Sequence, residues 1–552
     1  MTAHGVHYTL HMNKLLQQTK KLFLGTQGGL FSSAMIISFM IVISRIFGFV
    51  RYRILAGYFT KDQLDIFFAS FRIPDLIFEL LITGAITSTL IPIFIQYAKD
   101  EKEQARVISS IMNAVLIILT VLVLILVPTM PLIVPLIAPG FGAQKMAEIT
   151  YYSQLLLIGQ LPFLVIGNFL TGIAQAQKRF FITAIPPIIY NISVIISTYF
   201  FAPTYGLHAP VWGVMVGALL FACIQLPIGS ILRNNYYFGI AKHDGVRDFF
   251  TMIGPRLFTI IATQIDATID LTLATLLGSG AYTIFYFAQH LQLLPVSVIG
   301  MSFGQASLPY LSELVEHKKI TELTRIVTES IMNVIFLTTP IAAYFIFART
   351  PLVRMFFGGE KFDWDATVQT AFLLSYFAVS IPLHAAYYIL TRSFYAFHDT
   401  KTPFFASLMG IIVNTILSVF FVLIVKLPVW ALGISFSLSI ILQVLLLFLL
   451  IHKKIAFNIS AIVLGMGKIV VAAIVAAPIP YILIKLMDNV LLDTTRTINI
   501  LILLVSSSIL YLLLYLFLCW LLAVNELYVV TRLTIKAREF QKKITEMYSS
   551  YD

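Results

Sequence analysis

Residues 114–127 read AVLIILTVLVLILV, and no charged side chain occurs between Arg106 and Lys145. A bilayer selects such a run, because a helix needs about 20 mostly apolar residues to cross the hydrocarbon core. Applied outward from this stretch, the same criterion yields about fourteen candidate spans. They centre near residues 42, 82, 122, 160, 192, 219, 264, 296, 336, 378, 413, 440, 475 and 510. The composition agrees: of 552 residues, 59% are hydrophobic and 11% charged, with a mean hydropathy of +0.91. Soluble domains carry roughly 25% charged residues, so this chain cannot solvate a soluble surface. A soluble enzyme, a secreted scaffold and a disordered chain are excluded. Cys223 and Cys519 lie in apolar runs and cannot frame disulfides or a cysteine metal site.

Basic residues set the orientation. They gather after even-numbered spans: Lys99, Lys102 and Arg106; Lys178 and Arg179; Arg233, Lys242 and Arg247; Lys318, Lys319 and Arg325; Lys401; Lys453 and Lys454. Gaps after odd-numbered spans are poorer in them. The positive-inside rule then places both termini in the cytoplasm of a multi-pass protein. The net charge of +11 reports this topology and gives no reason to expect nucleic acid. Residues 1–28 are polar and basic and lack a secretory cleavage site, so they are expected to remain as a cytoplasmic segment. Residues 525–552 space apolar side chains helically between basic ones and are expected to lie on the inner leaflet.

The chain also repeats weakly. Between residues 67 and 92 it shows an aromatic start, an internal proline, Gly84, and then Leu90 and Pro92; residues 285–309 keep that order to Gly300, Leu308 and Pro309. Pro187 and Asn191 likewise match Pro403 and Asn414. Pro92 and Pro309 are separated by almost the same length of chain as Asn191 and Asn414. Six spans fit between equivalents, which makes a parallel repeat of two six-helix lobes. The expected fold is therefore an all-α polytopic membrane protein. Its expected parts are an N-lobe over residues 29–240, a C-lobe over 241–456 and two further helices over 457–524. Such a construction suits an alternating-access transporter.

Charges inside spans are costly and usually face a bundle interior or a wet cavity. Residues 44–53, SRIFGFVRYR, put Arg45, Arg51 and Arg53 on the first span. On the second, Asp65, Arg72 and Glu79 stand seven apart and are expected to share one face, with Asp75 nearby. One reading is a hydrated cavity lined by guanidinium groups, which grip diphosphate bidentately. The other is an ion-pair network, Arg72 with Asp65, Asp75 or Glu79, that docks the first span on the second. The seventh span carries Gln264, Asp266 and Asp270, the carboxylates at i and i+4. With Asn414 and Ser418 of the eleventh span they are expected to hold Na⁺ or a proton, since hard cations need oxygen clusters. On the eighth span, His290 follows Tyr286 by one turn and offers a titratable cation. No P-loop and no cysteine–histidine metal spacing occurs, and residues 363–365, Asp-Trp-Asp, read best as a helix cap. The chain is therefore expected to be no enzyme and to need no cofactor beyond ion coupling or the membrane potential.

These residues resemble a known family. Ser44-Arg45, Gly48-Phe49 and Arg51, then Asp65, Phe67-Phe68, Phe71-Arg72 and Pro74, then Gly84-Ala85 and Pro92 are similar to the first two helices of the MurJ/MviN lipid II flippases. The likeness continues through Pro255-Arg256, Gln264-Ile265, Asp270, residues 286–291 (YFAQHL) and residues 394–403 (FYAFHDTKTP). The resemblance implies a MATE-like fold of the MOP superfamily and a central cavity. It implies translocation of an undecaprenyl-diphosphate-linked peptidoglycan precursor, lipid II, to the outer leaflet of the bacterial cytoplasmic membrane; the carrier is expected to be a monomer. It carries the substrate-binding arginines to Arg45, Arg51 and Arg72, and the acid to Asp65. Three positions depart from the pattern: Phe78-Glu79 replaces adjacent arginines, Thr83 a glutamate, and His290 an arginine. These departures keep two alternatives open, a flippase for another polyprenyl-diphosphate-linked glycan and a cation-coupled MATE-like exporter.

Overall fold

The computed structural model describes residues 30–81, 87–229, 235–488, 492–494 and 496–528, and among these every regular element is helical. Thr83, Gly84, Arg233 and most of the basic tail fall outside the described residues. Among the described residues, eleven helices are long and apolar enough to cross a membrane. The expected count of fourteen is not confirmed among them. The first, second and seventh expected spans are helical where described and are not among the eleven.

The chain divides into two compact units. One is formed by the residues up to Thr283 with Phe356–Asp363, the other by Ile284–Met355 with the residues from Trp364 onward. In the first unit, α1 (Leu30–Tyr58) turns sharply into α2 (Lys61–Ser70). Thr60 and Gln63 make that turn a reciprocal cap: Gln63 N donates to Thr60 Oγ1 at 3.3 Å and Thr60 N to Gln63 Oε1 at 3.1 Å. The helix is interrupted at Phe71 before α3 (Arg72–Phe78), so residues 65, 72 and 79 do not follow one unbroken helical face. Then come α4 (Thr87–Gln96) and α5 (Glu101–Ile137). The Asp100 carboxylate caps α5 by accepting from Lys102 N at 2.9 Å and Glu103 N at 3.2 Å. The 37 residues of α5 give a rod about 55 Å long, nearly twice the ~30 Å hydrocarbon core.

The first unit continues with α6 (Ala143–Gly159), α7 (Leu161–Ala176), α8 (Phe180–Ala184), α9 (Pro186–Tyr205), α10 (His208–Gln225) and α11 (Asp244–Thr275). The most extensive pairing is α9 with α10, where Gly213 and Gly217 let the backbones approach. A Cβ on Gly217 would stand 3.1 Å from Tyr190 O. Ser193 Oγ and Ser197 Oγ then bond the carbonyls of Gly213 and Ala209 at 2.9 and 2.6 Å. Small residues and hydroxyls do this work because lipid offers no hydrophobic gain for helix association.

The second unit holds most of α12 (Ala281–Pro295), a π-helical turn (Val296–Met301), α13 (Ser302–Glu316), α14 (Ile320–Phe347) and most of α15 (Arg349–Phe357). It continues with α16 (Trp364–Ala396), α17 (Lys401–Val419), α18 (Trp430–His452), α19 (Ile459–Ala476), α20 (Pro478–Leu486) and α21 (Thr497–Leu521). At its centre, α16 packs on α13, α14 and α18. The last long helix, α21, docks on α14 through tyrosine hydroxyls: Tyr515 donates to Phe336 O at 2.9 Å and Tyr344 to Leu504 O at 2.8 Å.

One backbone cap closes several helices, with left-handed φ at Lys178, Lys318, His398 and Ala523. Lys178 and His398 take φ values of 60° and 58° at the ends of α7 and α16. In each case the next N–H folds back, Arg179 N to Ala174 O at 2.9 Å and Asp399 N to Phe394 O at 3.0 Å. The motif closes a helix by satisfying its last carbonyls. The outward faces are apolar, with Leu132 and Leu136 of α5 each 74% exposed, as lipid contact requires.

Candidate functional site

Five helices bring polar groups together within the first unit. Asp75 on α3 has Arg72, Glu79 and Arg51 as its charged neighbours. Tyr190 on α9 lies within electrostatic reach of Arg51 and Asp75, and Tyr282, in the first turn of α12, within reach of Arg72, Asp75 and Asp65. Arg51 and Arg72 thus share one region with Asp75, Glu79 and two phenols. A charge in a membrane interior is tolerated where it pairs or meets water, and here both arginines have an acid within electrostatic reach.

Arg72 is held from α11. Its Nη2 donates to Gln264 O at 2.6 Å, to Gln264 Oε1 at 3.1 Å and to Thr268 Oγ1 at 2.5 Å, while Nε reaches Thr268 Oγ1 at 2.9 Å. These acceptors are neutral, so they fix the guanidinium without cancelling its charge. The hydrogen bonds of Arg72 therefore run to α11, and not to the expected partners Asp65, Asp75 or Glu79. Thr268 had no sequence signal beyond its place one turn after Gln264.

Asp65 takes another place. It is fully buried and accepts from Gly280 N at 2.6 Å, Thr283 N at 2.9 Å and Thr283 Oγ1 at 2.8 Å. It therefore caps the first turn of α12 instead of bonding Arg72. Asp62, one turn earlier, accepts from Lys145 Nζ and Ser279 Oγ. The two acids staple the 278–283 turn to α2.

The remaining predicted residues are distributed as follows. Arg45 on α1 is exposed, and Arg51, six residues later, is half-buried with its Cζ 4.7 Å from the centre of the Tyr52 ring. The α1 backbone beside Arg45 is tied to α9, where Asn191 Nδ2 donates to Ser44 O at 3.4 Å. On α11, Asp266 is half-buried and Asp270 fully buried. His290, Asn414 and Ser418 belong to the second unit. His290 Nδ1 donates to Tyr286 O at 2.8 Å and its ring lies 4.0 Å from the Tyr286 ring. Ser418 Oγ is 2.6 Å from Ser435 Oγ. Among the described residues no cluster of three or more histidines, cysteines or acids is placed to hold a metal ion.

Comparison with known proteins gives these residues a family. The model for "Lipid II flippase MurJ" matches residues 55–525. A probable lipid II flippase MurJ of Rickettsia prowazekii is 28% identical over 401 residues, covering 70% of this chain and 77% of the relative. Among solved structures, a lipid II flippase MurJ in an inward closed conformation superposes with a TM-score of 0.73 at 23% identity, covering 89% of this chain and all of that one. An inward-facing multidrug resistance MATE transporter of the MOP superfamily superposes at 0.65 with 12% identity, covering 78% and 98% of the two chains. The chain belongs to the lipid II flippase MurJ family, a family of multi-pass membrane transporters and not of enzymes.

Proposed function

We propose that this family member moves lipid II across the bacterial cytoplasmic membrane by alternating access, with both termini in the cytoplasm and the chain acting as a monomer. The observation that carries the reading is the shared neighbourhood of Arg51 and Arg72. A polyprenyl diphosphate is a compact anion with oxygens spaced for guanidinium forks. Arg72, anchored by neutral acceptors on α11, keeps its charge for such a ligand. Asp75 and Glu79 balance the two arginines while the site is empty and give way when diphosphate enters.

Asp266 and Asp270 would couple the return step to Na⁺, to a proton or to the membrane potential. A second reading, a different polyprenyl-diphosphate-linked glycan, draws support from Phe78-Glu79, which stands where the resemblance leads one to expect two more arginines.

The test is complementation of a flippase-depleted strain with Arg45→Ala and Arg51→Ala, alongside lipid II binding to the purified variants. Both variants should insert normally, fail to support growth and bind lipid II weakly. Full growth with either variant would overturn the diphosphate role. Lipid II affinity no better than that for another polyprenyl-linked glycan would favour the second reading.

A further inference from the structure

A second polar pocket lies in the other unit, at the end of the bundle where α14 passes into α15 and α20 gives way to α21. Its volume is about 400 Å³, and its lining includes Arg349, Arg354, Lys485, Asp488 and Thr494, with Trp364 and Tyr481 among its aromatic walls. Three cations meet one acid. Arg354 is fixed in place: Nη1 donates to Thr494 Oγ1 at 3.1 Å and Nη2 to Thr494 O at 2.6 Å, and its Cζ sits 5.6 Å from the Trp364 ring. Thr494 Oγ1 in turn donates to Asp488 Oδ1, so the acid serves to hold that loop. Arg349 stacks on Phe372 at 4.4 Å and donates to Ser375 Oγ at 3.2 Å. Lys485 is exposed, with its Nζ 5.8 Å from the Tyr481 ring.

Beside the pocket the surface is apolar and open, with Ile482 at 56% and Ile498 at 58% exposure. Tryptophan and tyrosine next to basic side chains, flanked by exposed aliphatic ones, is the arrangement found where a bilayer meets its headgroups. We propose that this pocket binds the phosphate of an anionic phospholipid headgroup, the acyl chains lying along the face that carries Ile482 and Ile498. Arg349 and Arg354 supply fixed forks for the phosphodiester, and Lys485 closes over it as a mobile charge. With the termini inside, as proposed above, this end of the unit faces the outer leaflet. The site is separate from the arginines of the first unit and does not depend on what they carry.

The experiment measures binding of acyl-labelled phosphatidylglycerol to the purified full chain in detergent, with phosphatidylcholine and inorganic phosphate as competitors. Wild type should prefer phosphatidylglycerol, and Lys485→Gln should weaken its binding about five-fold, the effect of one basic residue at a charged membrane surface. Lys485→Arg should restore it. Arg349→Gln should weaken it further; Lys485, at the exposed rim, keeps the test independent of folding. Equal binding of the two lipids, or an unchanged affinity in Lys485→Gln, overturns the site. Displacement by millimolar inorganic phosphate alone overturns the lipid as its source.

Discussion

Asp65 accepts the backbone N–H of Thr283 at 2.9 Å, a hydrogen bond that joins positions far apart in sequence. Their separation is close to the one that relates Pro92 to Pro309 and Asn191 to Asn414. A buried carboxylate with three donors is a structural anchor first. Asp65→Ala should strand the N–H groups of Gly280 and Thr283, costing about 1–3 kcal/mol for each buried donor left without an acceptor. Thermal unfolding in detergent should show a clear loss of stability, with Asp65→Asn intermediate. An unchanged midpoint with transport abolished would instead return Asp65 to the substrate.

Arg72 tests the difference between a fork and a point charge. Lysine at this position keeps the charge but cannot reach Gln264 O and Thr268 Oγ1 together. Arg72→Lys should therefore lower lipid II affinity roughly ten-fold, the scale of one charge-assisted hydrogen bond. Thr268→Val should produce a smaller loss of the same kind. Normal affinity in Arg72→Lys would mean that position matters less than charge.

Gly300 probes the packing of the second unit. A Cβ there would lie 2.6 Å from Ala385 Cα and 2.9 Å from Ala385 O. Backbone atoms cannot swing aside, so Gly300→Ala must push the π-helical turn away from α16 at a cost of about 1–3 kcal/mol. Yield of folded protein and its unfolding temperature should both fall; a neutral Gly300→Ala would contradict the close approach.

Asp399, in the turn after α16, sets a pH dependence. Burial pushes its carboxyl up, but the Lys454 ammonium at 2.7 Å and the Thr402 N–H and hydroxyl outweigh that and hold it at about 2, from an ordinary 3.8. A depressed carboxylate contributes stability that is full above its unfolded pKa and is lost as pH falls through the folded one. The stability gap between wild type and Asp399→Asn should hold from pH 7 down to about 4, then close toward pH 2. A gap that survives to pH 2 would show that the ion pair is not its origin.

The sequence by itself determined that this chain lives in a bilayer, is helical and keeps charges on its first, second and seventh spans. Hydrocarbon imposes those features locally: every span must be apolar and satisfy its own backbone, and any charge within it must have a reason. It also carried the family, because the polar and glycine positions of the first two spans survive as a recognisable string. What only the tertiary structure decided was partner choice. The seven-residue spacing of Asp65, Arg72 and Glu79 predicts one face and a shared network, yet Asp65 bonds the 278–283 turn and Arg72 bonds α11. Likewise nothing in the sequence joins Thr268 to Arg72, or Thr494 to Arg354. A side chain's partner depends on where a helix far along the chain comes to pack, and periodicity along one helix carries no record of that.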